Sequence, residues 1–247
     1  MEDNVEAVVE IGYDGWCIDG EFPSIGIQGY EIKDKGLLAA IKPYDELGEQ
    51  VKMVNSKLSP ILKNYGYRGF FSTELRITNG NVPYLIDPCM RCGSPPSELY
   101  QEMIGNLAEV IWAGAHGSLI APEPVCKFGC EVMIHSSWAD EHWQAIDIEE
   151  SIRQFVKLRN LTRIRDRYYV VPQRVGLAEI GAVVGIGDTL KEAIDHAKEN
   201  CEKIGGYYIE CKLDSIDEAI EQIKAGQKIG INFASKEELD AVADGGD

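Results

Sequence analysis

YRGFFSTELRITNGNVPYLIDPCMRCGSP, residues 67–95, decides the reading of this chain. Residues 67–77 are rich in aromatic and β-favouring side chains, Asn79-Gly80 is a strong turn dipeptide, and residues 82–86 have strand character. The pattern predicts a hairpin hinged at Gly80, with Glu74 six residues before the glycine and Asp87 seven after it. A strand rises about 3.3 Å per residue, so the two carboxylates fall at one end of a sheet, within reach of a shared ion. Just beyond them the chain turns into a Cys/Arg/Gly/Pro loop that carries Arg91. Two carboxylates converging beside an arginine suit Mg2+ carrying the phosphates of a nucleotide. The same spacing also describes an ordinary hairpin with acids at its wet end.

The rest of the chain narrows the setting. Its 247 residues suffice for one or two domains with real cores, and 45% hydrophobic with 26% charged residues describes a globular protein. No run of roughly 18 apolar residues occurs, so no membrane span is expected, and residues 1–15 lack the basic flank and apolar core of a signal peptide. The expected location is cytoplasmic. Against 24 Lys+Arg stand 41 Asp+Glu, a formal net charge of −17, which disfavours nucleic acid and anionic lipid as partners. A nucleotide remains compatible, because Mg2+ and a few local arginines outweigh a distant average. A homo-oligomer is compatible as well.

Around the hairpin the pattern predicts a strand over 5–11, a turn at Tyr13-Asp14-Gly15, and strands near 16–18, 25–32 and 36–41. A helix is predicted over 49–64, kinked or split by Pro60. A second helix, 97–113, has Leu99, Met103, Leu107, Val110 and Ile111 as its apolar stripe. A sheet with helices packed on one face would bury these elements in two layers. Farther on, 131–135 and 168–171 read as strands and 149–159 as a helix. Residues 175–187 are apolar and glycine-bearing, and Thr189 to Glu192 forms a capping box opening a helix to about 203. Ser215–Glu218 and Ser235–Glu238 repeat the box ahead of two short helices, with 229–233 as a short strand between them and fraying beyond Leu239.

Other chemistries find less support. Cys89-Met-Arg-Cys92 and Cys126-Lys-Phe-Gly-Cys130 would offer four thiolates to zinc, but the first pair lies inside the hairpin loop, and Pro95-Pro96 delays the helix a redox dithiol needs. The seven cysteines read as reduced and partly buried. Ser136 or Ser137 with His142 and Asp140 can be written as a triad, yet no nucleophile elbow supports it; a polar turn packed by Trp138 and Trp143 fits better. Gly181 to Gly187 does not match the phosphate-loop pattern.

The hairpin resembles the C-terminal lobe of an ATP-grasp domain. There an acid on one strand is followed thirteen residues later by acid-x-Asn on the next, and these groups hold the Mg2+ ions that bridge the phosphates of ATP. The resemblance implies Glu74 as first metal ligand and Asp87 as second, with Cys89 standing where the family has Asn. Arg91 matches an arginine of the phosphoribosylamine–glycine ligase branch, whose Gly and Pro are echoed by Gly93 and Pro95. Cys89 is the notable departure, since a thiol is a poor ligand for a hard ion. EIGYDGWCIDG, residues 10–20, resembles the stretch that grips adenine and ribose, with Glu10 or Asp14 in the ribose role. Residues 174–206 resemble the closing segment of the glycine-ligase branch.

The resemblance therefore implies an α+β fold. Its parts would be an ATP-grasp-like C-terminal lobe over 1–118, a small β-rich α+β unit over 119–212, and terminal helices with an acidic tail over 213–247. It implies Mg2+ and ATP as cofactors, a small-molecule carboxylate as substrate, and Arg91 as the catalytic residue. Nothing in the chain matches the family's N-terminal lobe, whose glycine-rich loop and lysine cover the phosphates. The expectation is half of a nucleotide clamp over about 5–115, completed by a separate chain and inactive alone; a non-catalytic binding or assembly module is the alternative.

Overall fold

The computed structural model describes residues 6–243. A nine-stranded sheet organises it, every pairing antiparallel. Its strands are β1 (Val9–Ile18), β2 (Ile25–Ile32), β3 (Gly36–Pro43), β4 (Arg68–Ile77), β5 (Pro83–Cys89), β6 (Phe128–Ser136), β8 (Val156–Leu158), β11 (Glu179–Gly187) and β13 (Ile209–Cys211). Across the sheet the order is β5-β4-β1-β2-β3-β6-β11-β8, and β13 pairs with β6 where β3 has ended. A four-stranded sheet combines β12 (Ile204–Gly206), β7 (Gln144–Ile148), β10 (Arg167–Val170) and β9 (Leu161–Ile164), in that order. The helices are α1 (Glu49–Asn64), α2 (Ser97–Met103), α3 (Leu107–Ala115), α4 (Leu190–Glu202), α5 (Asp214–Lys228) and α6 (Lys236–Ala243). The fold is α+β, as the sequence implies. None of the described helices is long and apolar enough to cross a membrane.

Helices cover both faces of the large sheet, not one. On one face Ile11, Tyr13, Tyr30, Leu38, Phe71 and Leu75 meet Val51 and Leu62 of α1, Ile194 of α4 and Ile223 of α5 in a continuous core. On the other, Trp16, Ile27, Leu37 and Ala39 meet Leu99, Tyr100 and Met103 of α2 and Val110 of α3. Alternate strand residues point to opposite faces, which is why one strand can serve both cores. The second face is covered only in part, and the uncovered part holds the candidate site.

Several local expectations give way to tertiary context. No turn occurs at Tyr13-Asp14-Gly15; β1 runs straight through, and the Tyr13 hydroxyl donates to the Trp16 carbonyl at 3.2 Å, folding over Gly15. A Cβ on Gly15 would lie 2.5 Å from that hydroxyl oxygen, so the glycine makes room for a ring and not for a bend. The expected strand start at Val5 lies outside the described residues. Pro60 does not split α1. It removes one backbone hydrogen bond, while Val51, Val54 and Leu62 anchor the helix in the core and the Ser59 hydroxyl holds the Gly20 carbonyl at 2.6 Å.

Residues 97–113 form two helices, because Ile104 adopts extended backbone and bridges to Pro124; Ile111, expected in the apolar stripe, is exposed. Residues 149–159 form a 3-10 turn (Glu150–Phe155) and then β8. The box at Ser215 is absent: α5 starts at Asp214, two residues before a helix capped by Ser215 would, and runs fifteen residues, with Asp214 and Glu218 both paired to Lys35 and Ser215 buried. Residues 229–233 are not a strand, although Ile231 and Phe233 are core. The boxes at Thr189–Glu192 and Ser235–Glu238 form as expected, and α6 continues past Leu239 to Ala243.

Candidate functional site

The hairpin of β4 and β5 closes through residues 78–82. Asn81, with φ of 59°, takes the left-handed position, and its amide donates to the Thr78 carbonyl at 2.9 Å. Ile77 pairs with Pro83 and Leu75 with Leu85, but Glu74 pairs with Asp87. Ile86 is therefore an extra residue, a β-bulge. Side chains directly opposite in an antiparallel pair lie on one face with Cβ atoms about 5 Å apart. The bulge thus converts the unequal spacing about Gly80 into two facing carboxylates.

Pairing with β1 extends this row. Glu74 lies opposite Gly12, Ser72 opposite Asp14, and Arg76 opposite Glu10. Gly12 in turn pairs with Gly29 of β2. These residues line one cavity of about 500 Å³, together with Glu31, Lys33, Cys89, Arg91 and the loop from Gly93 to Pro96. All five residues singled out from the sequence, Glu10, Asp14, Glu74, Asp87 and Arg91, are in its wall. Its floor is bare of side chains at two points: a Cβ on Gly29 would stand 3.5 Å from Asp14 Oδ2, and one on Gly12 would stand 3.6 Å from the same atom.

The wall is strongly acidic. Glu10 is paired to Arg76 at 2.6 Å. Asp14 is 8% exposed, and burial pushes its carboxyl up to about 7 against the opposing hydrogen bond from Ser72, with the Glu74 charge adding to the rise. Desolvation and then the charges of Glu74 and Asp14 push Glu31 up to about 7. Glu74 is raised by desolvation first, then by Glu10 and Asp87. Burial first and mutual repulsion second raise these carboxyls, and a cation or a hydrogen-bond donor would relieve the repulsion.

Cys89 sits opposite Ser72, and its thiol donates to Asp87 Oδ2 at 3.2 Å. Desolvation and that bond push the thiol up to about 11, so Cys89 holds its proton at neutral pH. Arg91 donates to the Cys92 carbonyl at 3.1 Å. The Ser94 hydroxyl donates to Glu98 at 2.6 Å and accepts from Arg159 at 2.7 Å, tying the 93–96 loop to both α2 and the residue after β8.

Glu31, Lys33, Ser72 and Arg76 are wall residues that sequence reading missed. The signal was two-residue periodicity: Gly29-x-Glu31 and Ser72-x-Glu74-x-Arg76 each keep to one face once the register with β1 is known. Among the described residues, no group of three or more His, Cys, Asp or Glu is arranged to hold a metal ion by itself. Two facing carboxylates fall short of a self-contained metal site; Mg2+ commonly takes only one or two carboxylates and completes its shell with phosphate oxygens and water.

The other constellations do not assemble. His142 stacks on Trp138 with centroids 3.8 Å apart, while Asp140 accepts from the Val175 and Gly176 amides at 2.9 and 3.0 Å. The Ser136 hydroxyl accepts from the amides of Trp138 and Ala139, both at 3.3 Å. These groups close a turn. Cys126 and Cys130 are buried and Cys92 is exposed; all seven cysteines are free.

No family model matches the chain, and no curated sequence matches it. Solved structures do. Phosphoribosylamine–glycine ligase from Thermotoga maritima superposes with a TM-score of 0.63 at 16% identity, over 82% of this chain and 54% of that one. L-amino acid ligase from Bacillus licheniformis gives 0.51 at 17% identity, over 81% and 51%. Biotin carboxylase from Campylobacter jejuni, in a β,γ-ATP complex, gives 0.52 at 14% identity, over 94% and 52%. These are ATP-grasp enzymes, and the chain has their fold. It spans about half the length of each.

Proposed function

We propose that this chain is part of an ATP-dependent ligase that joins a small carboxylic acid to an amine or thiol through an acyl phosphate. One observation carries the reading: a single cavity, in a fold shared with ATP-grasp ligases, gathers Glu74, Asp87 and Arg91 over a glycine floor. In this chemistry a carboxylate oxygen attacks the γ-phosphorus and ADP leaves. The amine or thiol then attacks the acyl carbon and phosphate leaves. Glu74 and Asp87 would hold Mg2+, which when bound offsets the charge of the phosphates. Arg91, as the catalytic residue, would steady the phosphoryl oxygens through charge-assisted hydrogen bonds. Glu10 or Asp14 would accept from the ribose hydroxyls. The glycine floor leaves room for the nucleotide to approach the sheet.

The remaining half of the clamp, bearing a glycine-rich loop and a lysine, would come from residues outside this sequence, supplied in the test as a second polypeptide. Calorimetry with Mg·ATP tests the reading. The expected result is weak or absent binding by this chain alone and clear binding once the second half is added, lost again in Asp87→Asn. Strong binding by the pair that ignores both Glu74→Gln and Asp87→Asn would overturn the site assignment.

A second reading, a binding or assembly module without turnover, draws support from the Cys89 thiol. It occupies one oxygen of Asp87, which is then less free to meet a cation. On that reading neither substitution alters nucleotide binding, because none occurs with or without the second half.

A further inference from the structure

The tip of the β2–β3 hairpin is held by β6 and α5. Its own turn closes as the Lys35 amide donates to the Ile32 carbonyl at 2.9 Å, with Asp34 in the left-handed position at a φ of 61°. From β6, His135 Nε2 donates to the Asp34 carbonyl at 2.7 Å and the Met133 amide donates to the Lys35 carbonyl at 2.8 Å. The Lys35 side chain reaches away to α5, where Asp214 and Glu218 pair with it. Lys33, exposed at the same tip, lines the cavity of the candidate site instead. Glu10, Asp14, Glu31, Glu74 and Asp87 share that wall, yet among the described residues Lys33 enters no ion pair.

Strand direction places this lysine in the cavity. β5 runs the same way as β1, because both are antiparallel to β4, whereas β2 runs against β1. From the row Asp87–Glu74–Gly12–Gly29, the chain past Asp87 therefore leaves on one side with Arg91, and the chain past Gly29 leaves on the other with Glu31 and Lys33. At a rise of about 3.3 Å per residue, Lys33 stands roughly 13 Å along the chain from that row. We propose that Lys33 is an anion subsite of this cavity, receiving a phosphate or carboxylate group of a ligand whose metal-bound portion lies over Glu74 and Asp87. The proposal rests on the reading of the cavity as a site for a nucleotide and an acid, and it adds a recognition element on the side away from Arg91.

The chemistry follows from the charges around it. An acidic wall repels anions, so an oxyanion is held here only where a cation offsets that field. A lysine ammonium is a compact point charge on a flexible stem and serves phosphate and carboxylate alike. The anchored tip fixes where that stem begins, while the charge is left free of the protein's own acids. Arg76, by contrast, is engaged by Glu10. Two sources supply the anionic group: the phosphates of the nucleotide, or a second acidic group on the carboxylic acid that is to be activated.

The test labels the lysines of the full, unaltered chain with trace acetic anhydride and reads each site by peptide mass spectrometry. Labelling is compared without ligand and with millimolar tripolyphosphate plus Mg2+, glutarate, or adenosine. Lys33 acetylation should fall by about threefold once an effective anion reaches about twice its Kd. The exposed Lys57 and Lys63, outside the cavity wall, should keep their reactivity, and adenosine should protect nothing. Protection by tripolyphosphate assigns the subsite to the nucleotide, and protection by glutarate assigns it to the acid. Protection by neither anion, or equal protection of Lys57 and Lys63, would overturn the proposal. Tripolyphosphate that binds by phosphorus NMR while Lys33 stays reactive would overturn it too and leave the nucleotide reading standing. Lys33 protection that persists in Glu74→Gln and Asp87→Asn would uphold the subsite and remove the metal pair from the reading.

Discussion

Asp87 faces Glu74 because Ile86 is taken up in a bulge. Were Ile86 kept in regular register instead of bulged, Glu74 would meet Ile86, and Asp87 would turn to the opposite face, since a one-residue slip inverts every side chain beyond it. Ile86 is 43% exposed, so removing it sacrifices little core. Deletion of Ile86 is predicted to leave Glu74 opposite Asp87 in a regular ladder, with a native circular dichroism spectrum and Mg2+-dependent nucleotide binding by the completed clamp retained. Loss of binding in a folded deletion variant would show that facing these two acids does not by itself make the site.

Cys89 sets the strength of the same pair. Its thiol occupies Asp87 Oδ2 and offers no oxygen to a hard cation. Cys89→Asn is predicted to tighten Mg·ATP binding by the completed clamp by about tenfold, ~1.4 kcal/mol, comparable with one hydrogen bond to a charged group. Asp87→Asn should loosen it by at least as much, because a full charge leaves the site. Calorimetric titration of both variants checks the signs; equal affinities across the set would place the nucleotide elsewhere.

The buried carboxyl of Asp14 predicts a pH dependence of stability. In the unfolded chain it ionises near 3.8, and in the folded chain at about 7. Between these values the folded protein keeps a proton that the unfolded chain has lost. This contribution to stability is therefore full below about pH 4, is lost as pH rises to about 7, and changes no further above that. At about 1.4 kcal/mol per unit the loss is on the order of several kcal/mol. Asp14→Asn removes it, so the variant should gain on the parent protein steadily from pH 4 to pH 7 in urea midpoints. Parallel midpoints over that range would show that Asp14 ionises normally.

How much of this was legible in the sequence follows from the range of the forces involved. The hairpin, its facing acids and the boxes at Thr189 and Ser235 rest on neighbours within a few residues, and all were readable. The straight course of β1 was not, because Asp14 and Gly15 disfavour strands locally and only the sheet around them and the Tyr13 ring decide otherwise. The start of α5 was misread for the same reason: Lys35, far away in sequence, pairs with Asp214 and Glu218 and displaces the local cap at Ser215. Glu31, Lys33 and Arg76 became visible as wall residues only when the β1–β2 and β1–β4 registers were known.

The charge of the cavity predicts that the chain alone does not turn over ATP. The wall carries five carboxylic groups, at Glu10, Asp14, Glu31, Glu74 and Asp87, against Lys33, Arg76 and Arg91. Arg76 is already paired to Glu10. Two remaining cations, even with bound Mg2+, do not neutralise a triphosphate flanked by the other acids. Phosphoryl transfer depends on that positioning and charge compensation. Purified chain with Mg·ATP should therefore release phosphate no faster than the Glu74→Gln variant, and addition of a lysine-bearing glycine-rich half should raise the rate in the parent protein alone. Phosphate release by the isolated chain that Glu74→Gln abolishes would mean that these residues already grip the nucleotide completely, and the requirement for a second chain would fall.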